Sequence, residues 1–363
     1  MKLQAQVINT QAGLEAIRTD WQHFVGGLAD NALVYASWDY IHAYLSFQNQ
    51  PGWLIVVFRE AESGAIVAIH PLTLYQVTVE GRTFRACRPI GVAYLPFMEF
   101  PLRMTAGAAV TRSLVQEVLF RALGVEIVFL GPLQSTSPTY VALLETMPAA
   151  QMKVLSITSY SHIDGRAQSF QDYCRGRKTS TIRDAERCER RLREAGRLDY
   201  HAPDMTEDPA GLARRLCALS EGRFSGNHLY ATRPEWRELL PHLMTRLQPA
   251  GMMEACSLRL DGRAIALCVN FRHKGRHSYH MAAFDPAYAR FSPSKVLMAH
   301  LIRRAFAERA LFCFGGGIYD YKEDWCHTVG DARVPVLFAD EGVRAAVEPL
   351  LTMQLLSQFI GRQ

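Results

Sequence analysis

The residues best suited to chemistry are concentrated near the carboxyl end, between Phe284 and Trp325. The run Ser292-Pro293-Ser294-Lys295 stands where an apolar pattern typical of a helix begins. A helix that starts there presents backbone amides and the positive end of its dipole, and the hydroxyls and the lysine suit a phosphate or another anion. The glycine run Gly315-Gly316-Gly317 removes side chains where a ligand or another backbone comes close. The stretch therefore predicts an anion-binding site next to glycines whose backbone a ligand can approach closely.

The elements around these residues follow from periodicity and turn chemistry. Helical spacing of apolar residues, Val296 among them, predicts a helix over 293–308, and a short apolar run predicts a strand over 311–314. Three strands precede them, over 253–260, 263–271 and 277–284. Asp261-Gly262 and the run 273–276 are typical of hairpin turns, so these strands form an antiparallel meander.

The remainder of the chain alternates strands with helices, which indicates an α/β layer architecture. A long basic helix, within a segment from 166 to 197 that holds ten Lys or Arg against five Asp or Glu, opens the second half. The second half repeats the element order of the first. In the first half, the segment 82–101 is predicted to be irregular or an edge strand. The other predicted elements are strands over 4–8, 53–58, 65–77, 126–130 and 153–158 and helices over 12–25, 37–47, 111–123 and 138–146.

Composition and missing motifs exclude several classes of protein. The chain has 363 residues, 49% of them hydrophobic, and a net charge of +5, so it is predicted to be globular. Its eight cysteines are at least twelve positions apart, which excludes zinc-ribbon spacing. His277 and His280 are predicted to point to opposite faces of a strand, so no metal site is expected. The GxSxG, HExxH, P-loop and GxGxxG motifs are absent. Without an apolar leader or spanning segment, a cytoplasmic protein is predicted.

These residues together resemble the GNAT acyltransferase superfamily, and more narrowly its CelD-type, FemAB-like branch. The resemblance is carried by Phe284-Asp285-Pro286 with Tyr288, by the run 292–297, and by the glycines followed by Tyr321-Lys322 and Trp325. It covers about 170–328. It implies two tandem GNAT-like domains, 1–158 and 159–363, each a mixed, largely antiparallel sheet flanked by helices. The second domain would be the acyltransferase.

The resemblance also implies roles for single residues. An acyl-CoA co-substrate would bind with its phosphates near Ser292, Ser294, Lys295 and Val296, and no metal would be needed. Asp285 and His280 are candidate bases toward an amine, whereas Tyr321 would protonate the leaving group and Lys322 would bind an anionic part of the acceptor. The residues predicted to line the substrate site are Tyr288, Phe224, His228 and Trp325.

The substrates remain open in the sequence. The acceptor is predicted to be an amine of a small molecule or of a polysaccharide or cell-envelope precursor. At the start of the helix, the Gly-x-Gly or Gly-x-Ala usual in acyl-CoA-binding members is missing, and Pro293 has no amide hydrogen. The alternatives are therefore an aminoacyl-tRNA donor, as in FemAB-like relatives, which the basic helix would suit, and a degenerate module without enzymatic activity.

Two further segments have alternative interpretations. A helical apolar stripe from Val343 to Phe359 is predicted to pack on its own domain, and the alternative is a homodimer interface. The aromatic tract from Tyr94 to Phe100 is predicted either to pack a domain interface or to line an acceptor channel.

Overall fold

The computed structural model describes residues 2–28, 33–47, 51–91, 98–176, 179–223, 235–316, 320–326 and 328–351. The chain forms two compact units. Unit 1 consists of Met1–Ser159 together with Gly330–Gln363, and unit 2 consists of Tyr160–Val329. The predicted α/β class is confirmed in both units, each of which has a mixed sheet covered by helices.

The strand order in unit 1 is β1-β2-β3-β4-β5-β13-β7, and β6 pairs with β13. The strands are β1 Leu3–Ile8, β2 Trp53–Glu60, β3 Ile66–Val79, β4 Arg82–Pro89, β5 Ile127–Phe129, β6 Leu133–Gln134, β7 Met152–Asp164 and β13 Thr328–Phe338. The pairs β1–β2, β2–β3 and β3–β4 are antiparallel, whereas β4 pairs in parallel with β5 at Ala86↔Ile127 and Cys87↔Val128. Strand β7 crosses the boundary at 159, so its last residues belong to unit 2.

The helices of unit 1 pack on this sheet. They are α1 Gln11–Ala16, α2 Arg18–Gly27, α3 Trp38–Phe47, α4 Gly107–Arg112, which continues as a π-helix over Ser113–Ala122, α5 Pro138–Thr146 and α12 Glu341–Val347. The predicted helix start at Ser37 is confirmed, since its hydroxyl accepts a hydrogen bond from the Tyr40 amide at 3.2 Å. Apolar residues of α4, of the π-helix that continues it and of α5, among them Val110, Leu114 and Leu143, join the core over β2 and β3.

The prediction that 82–101 is irregular or an edge strand is wrong for its first part. Strand β4 pairs with β3 along its whole length, from Arg82 to Pro89, and lies inside the sheet next to β5. Its Phe84, Ala86 and Cys87 are fully buried. A strand that is buried on both faces shows only a weak alternation of apolar and polar residues. The aromatic residues and prolines of the segment were therefore interpreted as irregular structure.

The segment Gly330–Gln363 belongs to unit 1. The second domain therefore does not extend over the predicted 159–363, because its last part joins the first unit. Strand β13 pairs antiparallel with β5, and Val343 and Val347 of α12 lie in a core cluster with Val77 and Phe84. A strand that closes an earlier sheet gives no local sign of its partner, because strand propensity reports burial rather than pairing. The apolar stripe that begins at Val343 packs within the chain over its described part.

The strand order in unit 2 is β7-β12-β11-β10-β9-β8. The remaining strands are β8 Leu198–His201, β9 Met253–Leu260, β10 Arg263–His273, β11 Arg276–Phe284 and β12 Leu311–Gly316. The predicted meander is confirmed: β9, β10 and β11 are antiparallel neighbours. Both turns have positive φ at their two central residues, Asp261 and Gly262 in one and Lys274 and Gly275 in the other, as two-residue hairpins of the favoured hand require.

Helices cover the sheet of unit 2. They are α6 Phe170–Arg175, α7 Thr179–Ala195, α8 Pro209–Arg223, α9 Trp236–Leu247, α10 Pro293–Ala307 and α11 Asp320–Trp325. The predicted buried stripe of the basic helix is present in α7, where Ala185, Cys188 and Leu192 enter the core beside α10. The charged side of α7 consequently faces away from that core.

Candidate active site

The parallel strands β11 and β12 separate inside unit 2. They pair at Arg276↔Leu311, His277↔Phe312 and Ser278↔Cys313, and within the described residues the pairing ends there. Strand β11 continues to Phe284 along β10, with a register shift at His280, so that this residue has no opposite number on β10. We call the stretch beyond Ser278 and Cys313, along which the described parts of the two strands are not paired, the β11–β12 opening. A bulge next to an opening of this kind re-aims backbone and side-chain groups.

The bulged residue His280 lies in an aromatic setting. Its ring centre is 5.3 Å from that of Trp236 and 5.0 Å from that of Phe271. Its Nε2 is buried without a hydrogen-bond partner. Burial lowers the pKa of His280 to about 4, so the imidazole is neutral at pH 7 and is a weak base.

The other side of the opening ends at a buried lysine. Gly315 adopts a φ of 73°, a left-handed conformation that glycine accepts without strain. The Nζ of Lys322, on α11, donates to the Gly316 carbonyl at 2.6 Å and lies 3.4 Å from that of Gly315. Lys322 is 3% exposed, and burial lowers the pKa of its amine to about 8. A buried lysine with a lowered pKa at a strand end is typical of functional sites.

The neighbours of Lys322 on α11 have different surroundings. Tyr321 is 43% exposed, which suits contact with a ligand. Trp325 is 3% exposed and packs in the core cluster of unit 2, and its carbonyl accepts a hydrogen bond from the Tyr173 hydroxyl at 2.6 Å. The placement of Trp325 therefore favours a structural role over the predicted contact with substrate.

Asp285 and Tyr288 share an arginine that the sequence analysis did not single out. The Asp285 carboxylate pairs with Arg263 at 2.5 Å and accepts from the Ala287 amide at 3.0 Å. The Arg263 guanidinium also lies 5.8 Å from the Tyr288 ring centre. Both oxygens of Asp285 are thus engaged at the turn after β11, a geometry that favours a turn-forming role over a catalytic base.

The start of α10 has the expected position, directly after the 3₁₀ turn that follows β11. Ser292 is left-handed, with φ 48°, and its carbonyl accepts from the Lys295 amide at 3.0 Å. The Ser294 hydroxyl is buried without a hydrogen-bond partner. Val296 is fully buried in the core, so it can offer a ligand only its backbone.

Lys295 does not stand alone at this helix start. Its Nζ forms an ion pair with Asp184 of α7, and Asp184 also binds Arg187. The hydrogen bond from Lys295 holds the pKa of Asp184 below its ordinary value. A carboxylate is therefore already near the N-terminus of α10, where an incoming anion would bind. Asp184 was missed because its contact with Lys295 spans 111 positions.

Phe224 and His228 lie outside the described residues, as do Gly317 and most of the tract from Tyr94 to Phe100. The described part of the chain contains no group of three His, Cys, Asp or Glu side chains that could hold a metal ion. Among the described residues, none of the helices has the length and apolar character needed to span a membrane.

Comparison with known families agrees with this geometry. Residues 179–323, which include the basic helix, the meander, α10 and Lys322, match the acetyltransferase (GNAT) domain family. This segment is a GNAT domain. The β11–β12 opening, the start of α10 and the buried lysine all lie within it.

Solved structures extend the likeness from the GNAT domain to the whole chain. FemX is 10% identical, with a TM-score of 0.66 over 94% of this chain and all of that one. The C-terminal domain of a putative lysylphosphatidylglycerol synthetase from Agrobacterium fabrum is 12% identical, with a TM-score of 0.54 over 96% of this chain and 98% of that one. L-PGS from Bacillus licheniformis is also 12% identical, with a TM-score of 0.54 over 95% and 97%. At these identities the likeness establishes the fold, which is the predicted FemAB-like tandem arrangement.

No curated protein sequence matches the chain. The GNAT domain match and the shared fold are therefore the findings on which a function can be argued.

Proposed function

We propose that the GNAT domain catalyses transfer of an acyl group to an amine in the β11–β12 opening. The observation that carries this proposal is the end of β11–β12 pairing at Ser278 and Cys313, with β11 continuing past a bulge at His280. An extended donor arm with amide groups can lie along such a strand edge as an added strand does. The donor carbonyl would then face backbone amides at the bulge, which stabilise the developing oxyanion.

The chemistry needs few side chains. The amine nitrogen attacks the acyl carbon, the bond from that carbon to its sulfur or oxygen breaks, the amine loses a proton and the leaving group gains one. Most of the rate gain would come from holding the amine against the carbonyl. His280, with a pKa of about 4, is too weak a base to hold the proton at neutral pH, so proton transfer to solvent is the expected route.

Lys322 is the side chain that we place in the reaction. Its ammonium, anchored on the carbonyls of Gly315 and Gly316, supplies a positive charge where the opening ends on the β12 side. That charge would stabilise the negative charge that develops during attack, and exposed Tyr321 beside it would protonate the leaving group. The protonated form of Lys322 is the active one in this proposal.

An acyl-CoA is the donor that we propose first, with the start of α10 near its phosphates. Titration calorimetry with acetyl-CoA and a longer acyl-CoA tests this. Lys295→Ala removes the lysine and leaves the Asp184 carboxylate unpaired near the phosphates. Binding of the acyl-CoA should weaken about tenfold, because a charged contact is worth about 1.5–3 kcal/mol. Asp184→Asn is the matched control and should strengthen binding, since it removes the negative charge. Absence of binding of both thioesters to the native protein would eliminate acyl-CoA as donor.

An aminoacyl-tRNA donor is the second candidate. It is favoured by the start of α10, where Pro293 has no amide hydrogen and Lys295 is engaged by Asp184, and by the arginines on the solvent side of α7. Binding of tRNA should then weaken steeply as salt rises from 50 to 200 mM, because bound phosphates release counterions. A salt-independent or undetectable affinity would contradict this candidate.

We propose, from the resemblance to the CelD-type branch, that the acceptor amine belongs to a polysaccharide or cell-envelope precursor. Turnover with a panel of amino sugars and amino-acylated precursors, followed by release of the free thiol, would test this part of the proposal. Simple alkylamines serve as controls for uncatalysed aminolysis.

A further inference from the structure

Strand β1 is the first strand of the unit 1 sheet, and within the described residues only one of its two edges is paired. It pairs with β2 from Leu3↔Glu60 to Ile8↔Ile55 without a register shift. The side chains in the middle of the strand are exposed, among them Val7 at 42%. We call the unpaired side of this six-residue strand the open edge.

The hydrogen bonds to β2 show which residues of β1 face the open edge. The Ala61 amide, directly after β2, donates to the Lys2 carbonyl at 2.9 Å, so the backbone of Lys2 faces β2. Hydrogen-bonded and non-hydrogen-bonded pairs alternate along an antiparallel ladder, so the even-numbered residues of β1 bond to β2. The amides and carbonyls of Leu3, Ala5 and Val7 consequently face the open edge.

The open edge lacks the features that usually keep an edge strand from pairing with another chain. Those features are a charge, a proline, a bulge or a very short length. Strand β8, at the edge of the unit 2 sheet, has two of them: it spans only Leu198–His201, and it carries Asp199 in an ion pair with Arg197. Strand β1, with the sequence LQAQVI, has no charge, no proline and no bulge. Its open edge is therefore a surface that fits another strand.

The open edge is also complementary to itself. When two copies lie antiparallel with Ala5 opposite Ala5, Leu3 of each copy lies opposite Val7 of the other, so outward-facing backbone groups meet outward-facing backbone groups. Each of these pairs can exchange two backbone hydrogen bonds. Opposite residues share a face of the sheet, so Leu3 and Val7 make apolar contacts on one face, and Gln4 and Gln6 pair their amides on the other. Like charges do not meet in this register.

We propose that the chain forms a twofold-symmetric dimer in which β1 of one copy adds to β1 of the other as an antiparallel strand. A second copy is the partner that fits, because a twofold axis at Ala5 satisfies all the outward-facing backbone groups of the strand at once. This surface differs from the stripe that begins at Val343, and the inference is independent of the proposed acyl transfer. Main-chain bonds with few side-chain contacts make a small interface, so we expect a dissociation constant of roughly 1–100 µM.

Sedimentation equilibrium of the full chain tests the proposal. The native protein should approach twice the monomer mass of 40.8 kDa as its concentration rises through that range. Ala5→Pro is the test variant, because it removes the amide at the centre of the dimer and an edge strand tolerates proline where its N–H faces solvent. Ala5→Ser keeps that amide and is the matched control. We expect dimerisation to weaken at least about thirtyfold in Ala5→Pro and less than about threefold in the control.

Opposite charges give a second test that does not depend on how well the strand accepts proline. Ala5→Lys and Ala5→Glu each place like charges directly opposite one another, so each variant alone should be monomeric. A mixture of the two should form a one-to-one dimer, because unlike charges then face each other. Circular dichroism and melting temperature confirm that the variants fold. The proposal would be overturned by a native protein that is monomeric at roughly 100 µM, by a dimer that Ala5→Pro leaves intact, or by a charge mixture that stays monomeric.

Discussion

In unit 1, β4 and its parallel neighbour β5 pair at two described positions, after which the chain returns to the sheet. The Met98 amide donates to the Pro132 carbonyl at 2.6 Å, and Leu102 forms a bridge with Ala68 of β3. In unit 2, the pairing of β11 with β12 ends at Ser278 and is not resumed within the described residues. Backbone of unit 1 thus fills a position that in unit 2 borders the opening.

The polar groups buried in each unit follow the same contrast. Glu99 of unit 1 accepts from the Thr139 hydroxyl at 2.5 Å and from the Phe100 amide at 3.1 Å, at the start of α5. Burial raises the pKa of Glu99, whereas these hydrogen bonds lower it. The bond from Thr139 joins the segment that contains Glu99 to the start of α5. Lys322 of unit 2, anchored on carbonyls at the end of β12, borders the opening instead. We therefore expect Glu99 of unit 1 to be structural, whereas Lys322 of unit 2 is the group that we propose for the chemistry.

The largest effect should come from Lys322→Met, which removes the charge and keeps the length of the side chain. We expect turnover to fall at least about 100-fold, since loss of one group that stabilises an oxyanion typically costs that much. Thiol release with an amine acceptor measures it. Glu99→Gln is the unit 1 counterpart, expected to lower stability by about 1–3 kcal/mol with turnover per folded molecule unchanged. The opposite pattern would reverse the assignment, and unaffected turnover in Lys322→Met would remove Lys322 from the reaction.

The pH dependence of turnover sharpens the same comparison. The protonated amine of Lys322 is the form that acts in this proposal, and its pKa is about 8. The rate should therefore fall about tenfold per pH unit above that value. Stability should change in the other direction: the lowered pKa means that the unfolded chain binds more protons between pH 8 and 10.5, so stability rises over that interval. Lys322→Met should abolish this rise. A rate that increases through pH 8 in the native protein but not in Lys322→Met would mean that the neutral amine of Lys322 acts as a base.

Acid should destabilise unit 1 through His70. This side chain of β3 is 1% exposed, its ring centre lies 4.9 Å from that of Phe100, and burial lowers its pKa to about 3. The unfolded chain therefore binds a proton below pH 6.5 that the folded chain does not, and stability falls as pH falls, by about 2–3 kcal/mol near pH 4.5. Urea unfolding of His70→Phe against the native protein measures it. Parallel stability curves for the two proteins between pH 7 and 4.5 would refute the expectation.

Local patterns in the sequence predicted much of unit 2. The Asp261-Gly262 turn, the helical spacing after Pro293 and the stripe of α7 are all written within a few residues, so their elements could be predicted. The start of α10 beside Ser294 could be predicted in the same way, since a helix start depends on its own residues, and the anion site there stays a prediction. How far the other predicted site residues act in catalysis stays a prediction.

What escaped the sequence depends on distant partners. The union of β13 with unit 1, the contact of Asp184 with Lys295 and the sharing of Arg263 by Asp285 and Tyr288 each join segments far apart in the chain. The bulge at His280 is set by the register of β10, and nothing in the residue itself announces it. One sequence holds no information on such pairings beyond burial and charge.

The smallest effect concerns the return of the unit 1 chain to its sheet, which no local pattern predicted. Met98→Pro removes the amide that donates to the Pro132 carbonyl, and we expect a loss of about 1–2 kcal/mol in the free energy of unfolding. Met98→Leu keeps the amide and nearly the same volume, so it should stay within about 1.5 kcal/mol of the native protein. Turnover per folded molecule should be the same in both variants, because the filled position in unit 1 takes no part in transfer. Loss of turnover in Met98→Pro alone, with stability preserved, would mean that this segment of unit 1 serves the reaction and that the contrast between the units is wrong.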